Sequence, residues 1–523
     1  MTDKKMFKKL GAASFIMMAS VFASRLIGVF RAVAIADVGG VKAGVDAYQI
    51  AFIIPEILNH IVASGFLSIT FIPIFTRYLA CGRKEQGYHV FSIILNSFGL
   101  LLVMFMAVTM IWTPWFVHIA APGLNDPVTF ALAVKMTRII LPAQFFFFVG
   151  GLLMAVQFAN EKFFIPALAP LIYNLGIIAG GLLLGQKMGM EGFAWGVLAG
   201  AFIGNFVLQI MGARSLGVKY YPVFSIRHPD LIKYTKLTLP LMLGLTMTFS
   251  TEILLKFFGS YLSEGNIAAM NYSVRIMFIL VGLFGQAIGV ASYPFMAKLA
   301  ARDDRNELNQ LLNRTVKFIF MIIPFSILFM VLSHEIVLIL FQRGKFDAQA
   351  TAMTASILPF FMAGAFAFSA TSIISRGYYA IQNTIFPAVF TTICVISGLP
   401  VIFFLMKIMG ARGVALGLSL SAMVQSFLLF EFWSRKNNNL HKKEVHIFFM
   451  KIVLISLVIG GLMQVSAHGL RILMDPSGFT AAFTISVLTA VEFLVCFFIS
   501  GYVLKIQEIL VLYHTIYKKI MPA

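Results

Sequence analysis

Fourteen apolar stretches, each long enough to cross the roughly 30 Å hydrocarbon core of a bilayer, constrain this chain more than any other feature it has. They lie near residues 10–36, 46–76, 89–117, 128–158, 166–186, 193–213, 235–262, 267–298, 315–334, 350–380, 385–406, 413–433, 447–467 and 479–504. The connections between them are short and polar, and none is long enough for a separate soluble domain. A soluble protein carries roughly 25% charged residues, against 12% of these 523. That leaves too little charge to solvate a soluble particle, which excludes a soluble enzyme, a disordered scaffold, a coiled coil and a disulfide-stapled secreted module. The expected class is an all-α polytopic membrane protein of about fourteen transmembrane helices. The basic, apolar N-terminus imitates a signal peptide, but its apolar run continues past Arg25 to Ala36 without a small-residue cleavage site, so it reads as the first span. Cys81, Cys394 and Cys496 stand far apart and form no metal or redox spacing.

The remaining charge is unbalanced, with 40 Lys+Arg against 21 Asp+Glu, a formal +19. On a soluble domain such an excess points to nucleic acid, whereas in a membrane protein it marks cytoplasmic loops. With the N-terminus placed in the cytoplasm, 27 of the 40 basic residues fall in eight cytoplasmic segments and 7 in outer loops. This disposition puts both termini in the cytoplasm. Dispersal over short segments also removes the nucleic-acid reading.

The chain repeats itself. MGMEGFAWG at 188–196 matches MGARGVALG at 409–417, an offset of 221. The same offset aligns Pro166 with Pro387, Ala159 with Ala380, Pro73 with Pro294 and Arg77 with Lys298. Each repeat holds six spans; because six is even, the halves share orientation and relate by an axis along the membrane normal. The expected organisation is a six-helix lobe over 1–221, a second over 222–442, and over 443–523 two additional transmembrane helices with a cytoplasmic amphipathic tail. Two such lobes suit alternating access, with a substrate held between them.

Ionisable groups inside spans are expensive and mark function unless paired. The first span carries Arg25, Gly28 and Arg31. The two arginines stand roughly 120° apart around the helix and about 9 Å apart along it. They can share one broad cavity-facing side, with Gly28 between them leaving room for close approach. Guanidinium groups bind phosphate bidentately and keep their charge, so the pair points to an anionic substrate. Arg275 in the eighth span adds a third cation. The bland alternative pairs Arg25 and Arg31 with Asp46 or Glu56 of the second span. Glu252 and Lys256 have the i, i+4 spacing of a helical ion pair. Asp46, at the start of its span, suits a gate or a helix cap equally. Lys135 and Arg138 open the fourth span and read as snorkelling or gate residues.

Several blocks, taken in order, resemble the MurJ/MviN family of lipid II flippases, within the multidrug/oligosaccharidyl-lipid/polysaccharide exporter superfamily. They are SRLIGVFR at 24–31, Asp46-Ala47, Pro55, FIPIF at 71–75, APG at 121–123, LFQRGKF at 340–346, RGYYAIQNT at 376–384 and GARGVALGLSLSA at 410–422. The resemblance covers the first twelve spans. It implies a bacterial inner-membrane flippase that moves an undecaprenyl-diphosphate-linked peptidoglycan precursor. Its two lobes would surround a cavity for the head group, and spans thirteen and fourteen would form a groove for the lipid tail. It also implies that Arg25, Arg31 and Arg275 meet the diphosphate and that Asp46 matches a functionally important acid. The chain departs from the family at Asn59, where members carry arginine, and at Val274 and Phe278, where acids often flank the eighth-span arginine. Asn59, Glu56, Gly28 and Asp46 are taken as gate or cavity positions.

The expected partners are the lipid-linked glycan and membrane lipids, with the chain acting as a monomer. No cofactor or metal is expected. A coupling cation, the membrane potential and the substrate gradient are equally open as energy source. The alternative cargoes are another polyprenyl-linked glycan or, on the same fold, a cationic drug exported against a coupling ion. The second of these needs cavity acids rather than three arginines. A membrane-embedded transferase needs a metal-binding acid cluster or a base on a loop. The one tight acidic pair, Asp303-Asp304, lies in a solvated charge run beside Arg302 and Arg305.

Overall fold

The computed structural model describes residues 3–62, 70–246, 250–475, 477–504 and 506, and every regular element among them is a helix. The C-terminal tail beyond Ile506, read above as an amphipathic helix, lies outside the described residues. Among the described residues twelve helical segments are long and apolar enough to cross a membrane. The other two apolar stretches, 46–76 and 235–262, are carried by shorter helices. The fold is that of a multi-pass membrane protein.

Contacts divide the chain into two compact units, Met1–Ala268 with Arg343–Phe346, and Ala269–Gln342 with Asp347–Ala523. The first holds α1 (Asp3–Gly39), α2 (Ala43–Ala51), α3 (Ile53–Val62), α4 (Ile72–Ala80), α5 (Lys84–Ile111), α6 (Thr113–Ala120), α7 (Pro127–Ile140), α8 (Ala143–Ala159) and α9 (Phe164–Met188). It continues through α10 (Glu191–Ala201), a π-helical turn at Phe202–Val207, α11 (Leu208–Arg214), α12 (Pro229–Thr246) and α13 (Ser250–Gly259). The helix breaks at Phe52 because Pro55 has no N–H for the Ala51 carbonyl and its ring crowds that same oxygen. In lipid the hydrophobic effect does not press one apolar helix onto another, so close backbone approach must hold them. Gly176 and Gly180 of α9 supply it against α10: a Cβ on Gly180 would fall 2.5 Å from Gly196 Cα, and one on Gly176 would fall 2.6 Å from Gly200 Cα. Phe71, Phe75, Phe91 and Phe148 fill a second core among α4, α5 and α8.

The second unit comprises α14 (Asn266–Leu280), which starts at the unit boundary, α15 (Ala287–Ala301), α16 (Arg305–Phe320), α17 (Ile322–Val331), α18 (Ser333–Phe341), α19 (Ala348–Ala380), α20 (Ile385–Met409), α21 (Ala411–Lys436), α22 (Lys442–Leu473) and α23 (Phe479–Val503). Helix α19 is central, with α15, α16, α17, α18 and α21 packed against it. Helix α22 is fastened to α18 by a buried ion pair. Glu335 of α18, fully buried, accepts from Arg471 Nε at 2.7 Å and Nη2 at 2.9 Å, and Nη2 also donates to the Val331 carbonyl at 2.7 Å.

The internal repeat is written in the backbone. Helices α9 and α20 each have 25 residues and stop at Gly189 and Gly410, which adopt φ 57°, ψ −133° and φ 59°, ψ −133°. The spans Pro127–Ala159 and Ala348–Ala380 each have 33 residues. Each is capped by the aspartate before it: Asp126 accepts from Thr129 N and Asp347 from Ala350 N, both at 2.8 Å. Positive φ recurs at the same offset in Gly82 and Asp303, Glu161 and Gln382, and Gly217 and Asn438. A side chain in the left-handed region costs roughly 1–2 kcal/mol. Four non-glycine residues accept that conformation at equivalent turns, two of them opposite a glycine in the other half, so the turn geometry is shared where residue identity is not. Contact and repeat divide the chain differently, since 222–268 packs with the first unit. Asp230 at the start of α12 takes Arg77 Nη2 at 2.7 Å and the Tyr78 hydroxyl.

Candidate functional site

Helix α1 packs on α9, and its Ala32, Ile35 and Ala36 are buried. Two polar ties fix its rotation: Ser20 Oγ donates to the Ala167 carbonyl, and Ser24 Oγ accepts from Asn174 Nδ2 at 3.2 Å. Six residues apart on this fixed helix, the two arginines meet different surroundings. Arg25 is exposed, with Phe22, Leu26 and Val29 exposed around it. Arg31 is half-buried, and its Nε is buried with no hydrogen-bond partner among the described residues. The Tyr173 hydroxyl of α9 lies within electrostatic reach of both Arg31 and Glu56. A Cβ built on Gly28 meets no atom within 4 Å, so open space lies beside this position between the two arginines.

Glu56 of α3 has a partner that its position in sequence does not reveal. Lys256 Nζ lies 3.1 Å from Glu56 Oε2, and the lysine side chain is only 1% exposed. The i, i+4 spacing predicted a pair between Lys256 and Glu252; the structure gives the ammonium to Glu56 instead. The physical reason is burial. An exposed i, i+4 pair contributes a few tenths of a kcal/mol, whereas an ammonium withdrawn from water requires a carboxylate wherever the fold brings one. Arg31, Tyr173, Glu56 and Lys256 therefore form a polar group among otherwise apolar helices of the first unit.

Asp46 is a cap, but for a different helix. Its carboxylate is buried and accepts from Gly265 N at 2.6 Å and Ala268 N at 2.7 Å, at the first turn of α14. In return, Glu264 Oε1 accepts from Ala43 N at 2.8 Å, at the first turn of α2. Residues 43 and 264 are 221 apart, the repeat offset. Equivalent helix starts thus exchange acids, each satisfying amide groups left without partners at the other's N-terminus.

Asn59 is half-buried on α3. Arg275 belongs to the second unit, on α14, where it is half-buried and its Nε donates to Asn271 Oδ1 at 2.7 Å, one turn earlier. Lys135 pairs with Glu191 of α10 at 2.7 Å, and Arg138 Nε reaches Thr113 Oγ1 of α6 at 3.3 Å. Tyr173, Asn174 and Glu264 were not singled out from the sequence. The adjacent polar pair Tyr173-Asn174, one turn after Pro170 in an apolar span, was the available signal.

Residues 35–488 match the family model described as Lipid II flippase MurJ. Among curated proteins, the Probable lipid II flippase MurJ of Buchnera aphidicola subsp. Baizongia pistaciae is 28% identical over 414 residues, 78% of this chain and 80% of that protein. The Lipid II flippase MurJ of Burkholderia cenocepacia is 26% identical over 454 residues, 84% and 87% of the two chains. Among solved structures, Lipid II flippase MurJ in an inward closed conformation superposes with a TM-score of 0.77 at 26% identity, covering 94% of this chain and 99% of that one. An inward-facing multidrug resistance MATE family transporter of the MOP superfamily gives a TM-score of 0.67 at 15% identity over 80% of this chain and 96% of its own, a likeness of fold alone.

Proposed function

The chain belongs to the lipid II flippase MurJ family, and on that premise we propose that it carries lipid II from the inner to the outer leaflet of the bacterial cytoplasmic membrane by alternating access. It is a transporter, not an enzyme. The observation that carries the reading at the level of residues is Arg31, whose buried Nε has no acceptor among the described residues. Buried donors are nearly always satisfied, and a diphosphate supplies the charged acceptors that a guanidinium binds best. The polyprenyl chain needs no such site, because lipid already solvates it.

The proposed diphosphate ligands, to be tested one at a time, are Arg25, Arg31 and Arg275. Gly28 leaves space beside the first two. Asp46 and Glu56 hold helices whose movement alternating access requires, and Asn59 stands near them in sequence where the family resemblance implies an arginine. The transporting lobes are proposed as 1–221 and 222–442, with 443–523 appended and both termini in the cytoplasm, as the bias of basic residues supports.

The experiment is lipid II translocation in cells depleted of their own flippase. Wild-type protein restores export, and Arg31→Ala abolishes it at unchanged protein level. Unimpaired export in the Arg25→Ala, Arg31→Ala and Arg275→Ala variants refutes the site. The absence of an arginine at Asn59 favours one second reading, another polyprenyl-linked glycan as cargo. Failure of the wild-type chain to move lipid II while such a glycan crosses would establish it.

A further inference from the structure

The first unit contains an apolar cavity of about 590 Å³ that the polar group around Arg31 does not line. Phe91 and Leu95 of α5, Phe145 and Val149 of α8, and Ile210 of α11 form much of its wall. Its volume lies within the roughly 300–1,000 Å³ of ligand pockets.

The segment 218–224 straps one side of this cavity to α5. Ser92 Oγ accepts from Tyr221 N at 3.0 Å, while Asn96 Nδ2 donates to the Tyr221 and Val223 carbonyls at 3.2 and 2.9 Å. The Tyr220 hydroxyl donates to Asn96 Oδ1 at 2.9 Å, and the His89 ring stacks on Tyr221 with centroids 3.9 Å apart. Lys219 is held by Glu85 at 2.6 Å. These bonds engage the polar groups of Asn96 and Tyr220, which line the cavity, and the other lining side chains are hydrocarbon apart from one cation. Arg214, at the end of α11, lines the cavity and is exposed.

We propose that this cavity takes one acyl chain of an anionic glycerophospholipid of the inner leaflet, with the lipid phosphate on Arg214. A cavity walled mostly by apolar side chains offers water few partners, so a hydrocarbon chain from the surrounding bilayer is its natural occupant. The guanidinium at its edge then meets phosphate, with which it forms paired charge-assisted hydrogen bonds. The strap belongs to a segment, 214–236, that carries five Lys/Arg, the composition that draws anionic lipid to the cytoplasmic surface. Phe91, Ala213 and Leu153, at 1%, 3% and 6% exposure, are the buried part of its lining, and a volume of about 590 Å³ favours a single acyl chain over a longer polyprenyl one. The choice of leaflet rests on the topology proposed above.

The test is lipid retention, read by native mass spectrometry of the full chain in detergent after exposure to mixed micelles of phosphatidylglycerol and phosphatidylcholine. The wild-type protein should keep one phosphatidylglycerol with about tenfold preference, the discrimination of a charge-assisted contact. Arg214→Ala should lose that preference and Arg214→Lys regain part of it. Val103→Trp, at an exposed rim position, should exclude the lipid without lowering the melting temperature. Equal retention of the two lipids, an unchanged preference in Arg214→Ala, or displacement of the phospholipid by undecaprenyl phosphate would overturn the assignment. None of these readouts uses transport, so the lipid site and the flippase reading stand or fall separately.

Discussion

Neutralising Glu56 tests most directly how the first unit accommodates charge inside the membrane. Lys256 Nζ sits 3.1 Å from the Glu56 carboxylate. At that separation, and at an effective dielectric near 20, the attraction is about 5 kcal/mol. The two ends of the pair are not equivalent, since the glutamate side chain is 34% exposed and the lysine 1%. Removing the lysine leaves a carboxylate that water can still reach. Removing the glutamate takes from a buried ammonium the carboxylate it is bonded to, a loss of about 3–5 kcal/mol. Glu56→Gln should therefore destabilise far more than Lys256→Met, for which about 1–2 kcal/mol is expected. The double variant should resemble Lys256→Met alone, because the buried ammonium is gone. Equilibrium unfolding of the three purified variants in mixed micelles measures the cycle. Equal losses in the two single variants, with the double equal to their sum, would refute the account, because they would mean the groups do not interact.

Other consequences are as specific. Arg471→Ala should lower stability by about 3–5 kcal/mol, since it leaves the fully buried Glu335 carboxylate unpaired; Arg471→Lys should recover only part of this, lacking the fork that also reaches Val331. Gly28→Ala meets no atom within 4 Å, so stability should hold or rise, by up to about 1 kcal/mol of helix propensity, read as an equal or higher melting temperature; Gly28→Phe should keep that stability yet reduce lipid II export. Asp46→Ala should cost about 2 kcal/mol by uncapping α14, read as a lower melting temperature with export reduced in parallel. At Asp126, just outside its span, hydrogen bonds from the Thr129 hydroxyl and amide hold the carboxyl below its ordinary 3.8. The cap is therefore fully present above that pH and weakens as pH falls through the lower folded value, and Asp126→Asn should flatten the acid limb of a melting-temperature profile.

Much of this molecule is legible locally. A span is a sum of transfer energies over consecutive residues, so hydropathy alone marks the stretches that become α5, α9, α19 and α23. The repeat is legible for a similar reason: an offset is a property of one chain compared with itself. It extends to the turns at Glu161 and Gln382, whose shared geometry no residue identity announced. Pro55 likewise marks the break before α3. The arginines of α1 could be named as unusual, and their chemistry as anion-seeking, from residue type and depth.

What sequence could not assign was partnership. Lys256 has a carboxylate four residues away and bonds to one 200 residues away. Asp46, expected to serve either as a gate or as a cap, caps a helix that begins 220 positions later. Arg25 and Arg31 share a helix, yet only Arg31 is drawn inward, because Ser20 and Ser24 fix the rotation of α1 on α9. Bilayer hydrocarbon is a nearly uniform solvent, so it fixes which residues enter the membrane from their composition alone. Within it, each buried charge takes the partner that packing brings within about 3 Å, and that distance is decided only when distant helices meet.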